Sequence, residues 1–322
     1  MRINAVFEGG GVKGIALVGA IQAAERHGFT FHRMAGTSSG AIVASLLAAG
    51  YSAEEMKQLI MDTPFKSLAR PTDWMRLKWI GPPIRLFVSK GLYSGDPLEI
   101  WIRKLLSAKG IHTFADLPGD RLRIVASDIS GGKLMVLPDD LPKYGFDPAV
   151  YPVSQAVRMS CSLPFFFEPV VMRNAMKLPT YVVDGALLSN FPLWLFDQDF
   201  EPSRSPGLPP KLIPTVGFQL VGKGSQMPRT IRGPFTMLYA LFATMMEAHD
   251  ERFIEDQNRF RTIKIPTLGI RTTQFELSDD ESVRLYKSGF EAGIKFFDRW
   301  SLSAYQKNFD LFYQKLMPKT KA

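Results

Sequence analysis

Apolar residues along this chain fall in short runs divided by glycine, and their spacing changes from run to run. Ile3 to Phe7 is nearly continuous in apolar residues, the pattern of a core strand. Beyond a glycine cluster, Ile15 to about His27 carries apolar residues at helical spacing, and Gly28 supplies a helix stop. Phe29 to Ala35 predicts a second strand, and the small apolar residues from Ala41 to Ala49 predict a helix closed by Gly50. Strand, turn and helix, twice over with short links, is the sequence form of an α/β fold: a central, mainly parallel sheet covered by helices on both sides, in three α/β/α layers.

The rest of the chain extends this pattern. Ser52 with Glu55 forms a capping-box signature for a helix to about Met61. Asp96-Pro97-Leu98-Glu99 predicts another helix, with Asp96 as cap, a first-turn proline and Glu99 closing the box, ended by Gly110. Strands are expected at Arg121 to Ala126, Lys133 to Leu137, Tyr181 to Val183 and Leu212 to Val221, with a helix at about Pro152 to Ser160. Phe200 to Pro210 reads as a proline-rich loop, Pro234 to about Asn258 as a long helix, and Thr262 to Ile265 as a short strand. Ser278 with Glu281 caps a last major helix reaching Trp300. Residues 1–300 thus read as one domain. Residues 301–322 form a basic amphipathic tail in which Phe309, Leu311, Phe312 and Leu316 alternate with Lys307, Lys315, Lys319 and Lys321, suited to packing on the body or to membrane contact.

Composition narrows the function classes. With 322 residues, 46% of them hydrophobic, the chain has ample material for a buried core. A net charge of +8 favours anionic partners, although no nucleic-acid-binding motif accompanies it and none is expected to bind. Pro64 to Lys90 concentrates Lys66, Arg70, Arg76, Lys78, Arg85 and Lys90 around Trp74, Trp79 and Phe87, with Asp73 the lone acid. This stretch suits either a surface loop folded onto the body or an interfacial lid on an anionic membrane. A single cysteine, Cys161, excludes an internal disulfide and fits a cytoplasmic protein. The N-terminus leads directly into the first strand, with no room for a signal-peptide core. The longest apolar stretch, Pro234 to Met246, falls short of the roughly 20 residues of a membrane span. The expected location is cytoplasmic and peripheral at membranes, with export by a route lacking a cleaved signal left open.

Candidate chemistry gathers on two turns. Gly36-Thr37-Ser38-Ser39-Gly40 fits G-x-S-x-G between strand and helix, which makes Ser38 a candidate nucleophile and gives Gly36 and Gly40 the tight bend. Gly9-Gly10-Gly11-Val12-Lys13-Gly14 fits the dinucleotide pattern G-x-G-x-x-G. That pattern wants an acid at the end of the second strand, where Met34-Ala35 stand instead. The same glycines can present backbone N–H groups to an oxyanion, with Lys13 adding positive charge. For a base, His27, His32 and His112 lie too early for a late-loop triad histidine, and His249 sits in a charged helical stretch. Asp184, before Gly185-Ala186, and Asp128, after Ile124-Val125-Ala126-Ser127, both end apolar strands, and position does not separate them.

The glycine cluster, the Ser38 turn and Asp184-Gly185-Ala186, in that order, resemble the patatin-like phospholipase family. Ser160-Cys161-Ser162-Leu163-Pro164 with its Phe-rich continuation, Asn190-Phe191-Pro192 and Gly91-Leu92-Tyr93-Ser94-Gly95-Asp96 agree further, so the resemblance spans Ile3 to Pro192. It implies a dyad of Ser38 as nucleophile and Asp184 as partner, with no histidine. It also implies an oxyanion loop of Gly9, Gly10 and Gly11, with Lys13, Gly14, Gly36, Gly40 and Gly185 supporting the motifs. Glu8 stands where the family usually has aspartate. The implied activity is hydrolysis of phospholipid or lysophospholipid acyl esters through an acyl-enzyme, without metal or cofactor, and a protein or small-molecule activator is compatible with it. Phe165, Phe166 and Phe167 suit either an acyl channel or the core. The competing classes are a nucleotide-binding protein using Gly9 to Gly14 and a catalytically silent membrane-surface protein.

Overall fold

The computed structural model describes residues 1–63, 68, 90–173, 178–197, 213–222, 231, 233, 236–237, 240–241, 244, 256–270 and 277–316. Its strands are β1 (Arg2–Phe7), β2 (Thr30–Thr37), β3 (Gly91–Tyr93), β4 (Leu122–Asp128), β5 (Lys133–Leu137), β6 (Phe165–Phe167), β7 (Val170–Arg173), β8 (Pro179–Asp184), β9 (Thr215–Val221) and β10 (Thr262–Pro266). The α-helices are α1 (Gly14–Arg26), α2 (Ser39–Ala48), α3 (Ala53–Met61), α4 (Asp96–Ala108), α5 (Val153–Ser160), α6 (Asp279–Phe297) and α7 (Leu302–Leu316). Eight strands form one sheet in the order β10-β9-β1-β2-β4-β8-β7, with β5 also paired to β4. The run from β10 to β4 is parallel, and β5, β8 and β7 join antiparallel. This is the helix-flanked, mostly parallel α/β sheet that the apolar pattern predicts.

Alternation along the central strands sorts the core. Ala5 and Phe7 face the large cluster built with α1, α2, α5 and α6. Val6, Ala35 and Val125 face the other way, onto Leu193, Leu195 and Phe196 of a short 3-10 turn. Helices α1 and α6 cross at backbone contact. A Cβ on Gly289 would lie 1.8 Å from the Ala16 carbonyl oxygen, and one on Gly19 would lie 2.0 Å from that of Tyr286. Helix propensity favours alanine over glycine by about 1 kcal/mol, but a contact this short against backbone cannot relax by side-chain rotation. Gly289→Val is therefore expected to lose about 1–3 kcal/mol or more in denaturant unfolding, and an unchanged midpoint would contradict the crossing.

Both capping boxes of serine with glutamate, at Ser52 and Ser278, form as the spacing predicts. The one expected at Asp96 does not. Helix α4 starts after Gly95 without a side-chain cap, and Asp96 lies inside the helix. Asp96 and Glu99 instead pair with Arg158 at 2.7 and 3.2 Å, and Glu99 also takes Arg103. The Arg158 side chain is only 17% exposed, and neutralising a largely buried guanidinium outweighs satisfying one helix-end amide.

Three short strands, β3, β6 and β7, arise where the pattern predicts none. β3 and β6 pair in parallel and place Tyr93 on Phe166, ring centroids 4.6 Å apart, so the Phe-rich run is a half-buried strand. The tail folds as α7, with Tyr305 and Phe309 each 2% exposed. The Tyr305 hydroxyl accepts the Thr215 amide at 2.9 Å. Arg261 pairs with both oxygens of Asp197 and lies over the Phe309 and Phe312 rings. Tyr305 and Phe309 of α7 thus pack on the body, while Leu311 stays 52% exposed. Nearly all of Pro64 to Lys90, all of Phe200 to Pro210 and most of Pro234 to Asn258 lie outside the described residues. Among the described residues no helix is long and apolar enough to cross a membrane.

Candidate active site

Parallel pairing of β1 and β2, with Phe7 opposite Gly36, sets the glycine cluster beside the Ser38 turn. The approach is so close that a Cβ on Gly40 would lie 2.3 Å from the Phe7 carbonyl oxygen. Gly36 packs in turn against the backbone of Gly40, and Gly14 against Ser39. Ser38 sits between β2 and α2 at φ 53°, ψ −125°, a conformation that costs a non-glycine residue about 1–3 kcal/mol. It is the partly exposed residue between buried Thr37 and Ser39. Its amide donates to the Ser160 hydroxyl at 2.9 Å.

The Ser38 hydroxyl lies close enough to the carboxylate of Asp184 to draw its pKa down. Asp184 ends β8 opposite Ala126 and is 1% exposed. After it the chain turns over β4 so tightly that a Cβ on Gly185 would meet the Val125 carbonyl oxygen at 2.3 Å. One Asp184 oxygen accepts the Ala186 amide at 2.9 Å. Burial pushes its pKa from 3.8 up to about 7, against the opposing pull of the Ala186 amide and the nearby Ser38 hydroxyl. Burial, with the neighbouring charge of Asp184, also pushes the Cys161 thiol up.

Asp128 is separated from Asp184 by its partners: it accepts the Ser130 and Gly131 amides at 2.9 and 2.8 Å and the Tyr144 hydroxyl at 2.9 Å, closing the turn after β4. The described histidines lie elsewhere. His27 bonds Ala23 and Asp298, His112 bonds Ser107, and His32 is on the partly exposed first half of β2. His249 lies outside the described residues. Among the described residues no cluster of three or more His, Cys, Asp or Glu side chains is arranged to hold a metal.

The glycine loop differs from a cradle of three free amides. Gly9 N–H donates to the Asn190 carbonyl at 3.1 Å, and Gly10 N–H to the Ser39 hydroxyl at 2.9 Å. Asn190 returns a side-chain bond to the Gly9 carbonyl at 3.2 Å. These bonds fix the loop. Among the described residues the N–H groups of Gly11, at φ 59°, and of Ser39 have no protein acceptor. They stand at the entrances of the short turn Gly11–Lys13, which runs into α1, and of α2, so two helix N-termini add positive potential there. Lys13 is partly exposed on that turn. A pyrophosphate on this loop would have to displace Ser39 and Asn190 from the Gly10 and Gly9 amides, which weighs against the nucleotide reading. Glu8, fully buried, accepts the Leu220 amide at 2.5 Å and ties the end of β1 to β9. The contributions of Ser39, Ser160 and Asn190 escape sequence reasoning. The signal for the last two was their place in the Ser-to-Pro and Asn-Phe-Pro stretches.

Comparison with known proteins bears on the family of the chain. The patatin-like phospholipase family model matches residues 5–197, more than half of the chain. Uncharacterized protein YqhO of Bacillus subtilis (strain 168) is 41% identical over 306 residues, covering 94% of this chain and 100% of its own. The cGAMP-activated phospholipase of Escherichia coli (strain TW11681) is 27% identical over 202 residues, 59% of this chain and 53% of that protein. Among solved structures, VipD from Legionella pneumophila covers 92% of this chain and 66% of its own, at 18% identity and a TM-score of 0.48. The type III effector ExoU covers 92% and 53%, at 17% identity and a TM-score of 0.49. On the family match and the near full-length bacterial relative, this chain belongs to the patatin-like phospholipase family.

Proposed function

We propose that the chain is a serine-type lipid acyl hydrolase working through a Ser38–Asp184 dyad. The observation that carries this is a partly exposed serine on a strained turn, set beside a buried carboxylate whose pKa stands at about 7. Ser38 Oγ attacks the ester carbonyl while Asp184 takes its proton, and the Gly11 and Ser39 amides meet the developing oxyanion. Collapse of the tetrahedral species expels the alcohol, which regains the proton from Asp184. Water, deprotonated in turn by Asp184, then releases the fatty acid from the acyl-enzyme. Base and oxyanion donors are all protein groups, so the scheme needs no metal. Phospholipids or lysophospholipids are the proposed substrates, and the net charge of +8 favours an anionic surface on the cytoplasmic side.

The test is fatty-acid release from mixed anionic phospholipid and lysophospholipid vesicles with a chelator present. It is run with and without cGAMP, which the name of the E. coli relative gives as its activator. Turnover that survives the chelator supports the scheme, and a protein inert under every condition sinks it. Because Asp184 must be ionised to act, kcat/KM is expected to fall about tenfold per pH unit below its pKa of about 7 and to level off above it. A profile flat from pH 5 to 8 would remove Asp184 as the base.

A further inference from the structure

The hydroxyl of Ser160 takes no part in the proposed chemistry, yet it is bound to the backbone of the nucleophile. Ser160 ends α5 and is fully buried. Its Oγ accepts the Ser38 amide at 2.9 Å and donates to the Val125 carbonyl at 2.6 Å. A hydroxyl has one proton to give, so the Val125 bond fixes the rotor and aims a lone pair at Ser38. Val125 lies on β4 opposite Thr37, the residue before Ser38. Two residues after Ser160, the Ser162 carbonyl accepts the Asp184 amide at 2.9 Å, and the Ser162 hydroxyl donates back to Arg158 at 2.8 Å. One turn therefore grips the backbone of both members of the dyad, and α5 behind it is anchored by the pairs of Arg158 with Asp96 and Glu99.

We propose that Ser160 is a positioning residue: its hydroxyl, bridging the Ser38 amide and the Val125 carbonyl, holds the Ser38 turn in reacting geometry and, with the Ser162 carbonyl, sets the spacing of Ser38 from Asp184. This rests on the hydrolase reading above. Alanine at 160 would leave a buried amide and a buried carbonyl without their shared partner, and the amide belongs to the most strained residue of the site. The turn then relaxes, and the Ser38 oxygen moves relative to Asp184 and to the oxyanion donors. Substrate binding, made elsewhere along the acyl chain and headgroup, is left intact.

The test uses an alkyl fluorophosphonate, which reads the nucleophile without a lipid surface: Ser38 Oγ bonds phosphorus, fluoride leaves, and the proton passes to Asp184. Ser160→Ala is expected to slow both labelling and kcat on a soluble short-chain acyl ester by roughly 10²-fold, the effect of a displacement of about 1 Å. KM stays within about twofold, because only reacting geometry is lost, and the pH midpoint stays at that of the wild type. Ser160→Thr, which keeps the hydroxyl, recovers most of the rate, and Ser160→Cys, a weak hydrogen-bonding group of similar shape, does not. Folded Ser160→Ala labelled at the wild-type rate overturns the proposal, as does a loss that only tracks the unfolded fraction seen by circular dichroism. If Ser160→Ala fails to fold, the Thr and Cys variants decide it, and equal rates in those two overturn it. Failure of the underlying reading looks different: wild type and Ser38→Ala would then be labelled alike.

Discussion

Asp184→Asn is expected to lower fatty-acid release by about 10⁴-fold, the upper end of what a positioned base contributes, and at the same time to make the protein more stable above pH 7. Folding raises the pKa of Asp184 from 3.8 to about 7. Below pH 4 the carboxyl is neutral in both folded and unfolded chains, and the fold bears no cost. Between 4 and 7 the folded state keeps a proton that the unfolded chain has released, so stability falls as pH rises. Above about 7 the loss is complete, on the order of 4 kcal/mol, since each of the roughly three pH units separating the two pKa values contributes roughly 1.4 kcal/mol. Asparagine does not ionise, yet its carbonyl oxygen can still accept the Ala186 amide. Urea titrations of the two proteins should therefore diverge at pH 8 and converge at pH 4. The same difference at both pH values would mean that no buried charge is removed, and the assignment of Asp184 as a desolvated base would fall with it.

How far the site was legible depends on the range of the interactions that build it. The Ser38 turn was legible because its glycines, the strand before and the helix after are local. The parallel pairing of β1 with β2 followed from the same short links. Asp184 and Asp128 were not separable by position, since both end buried strands. What divides them is the turn closed by Ser130, Gly131 and Tyr144, which occupies Asp128. The glycine loop was readable as an amide-rich helix entrance, but which amides stay free was not. Gly9 loses its N–H to Asn190, 181 residues away, and Gly10 to Ser39, across a strand pairing. Strands of three residues such as β3 and β6 are too short to show a period. In the tail, an amphipathic stripe is the same pattern whether it faces a bilayer or a protein. The seats of Tyr305 on Thr215 and of Phe309 beside Arg261 show which of its side chains pack on the body.

Ser38→Ala and Ser38→Gly are each expected to reduce turnover by at least about 10⁴-fold, as loss of a nucleophile does, yet to differ in stability. Both lose the hydroxyl beside Asp184, which lowers the carboxyl pKa, so in both the carboxyl should titrate above the wild-type value. That shared loss cancels when the two variants are compared. What remains is the backbone: φ 53°, ψ −125° suits glycine and strains alanine, by an amount of order 1–3 kcal/mol. Glycine returns part of this through the larger entropy of its unfolded chain, roughly 0.5–1 kcal/mol. The glycine variant should then be the more stable by about 1 kcal/mol in thermal or urea unfolding. The comparison is best made near pH 4, where Asp184 is neutral in both and its charge cannot blur the result. Alanine equal to glycine would show an unstrained turn, and Ser160 would then have no strained conformation to hold. A clear glycine advantage would place the strain at the reacting residue itself, where the fold spends stability to set Ser38 against Asp184.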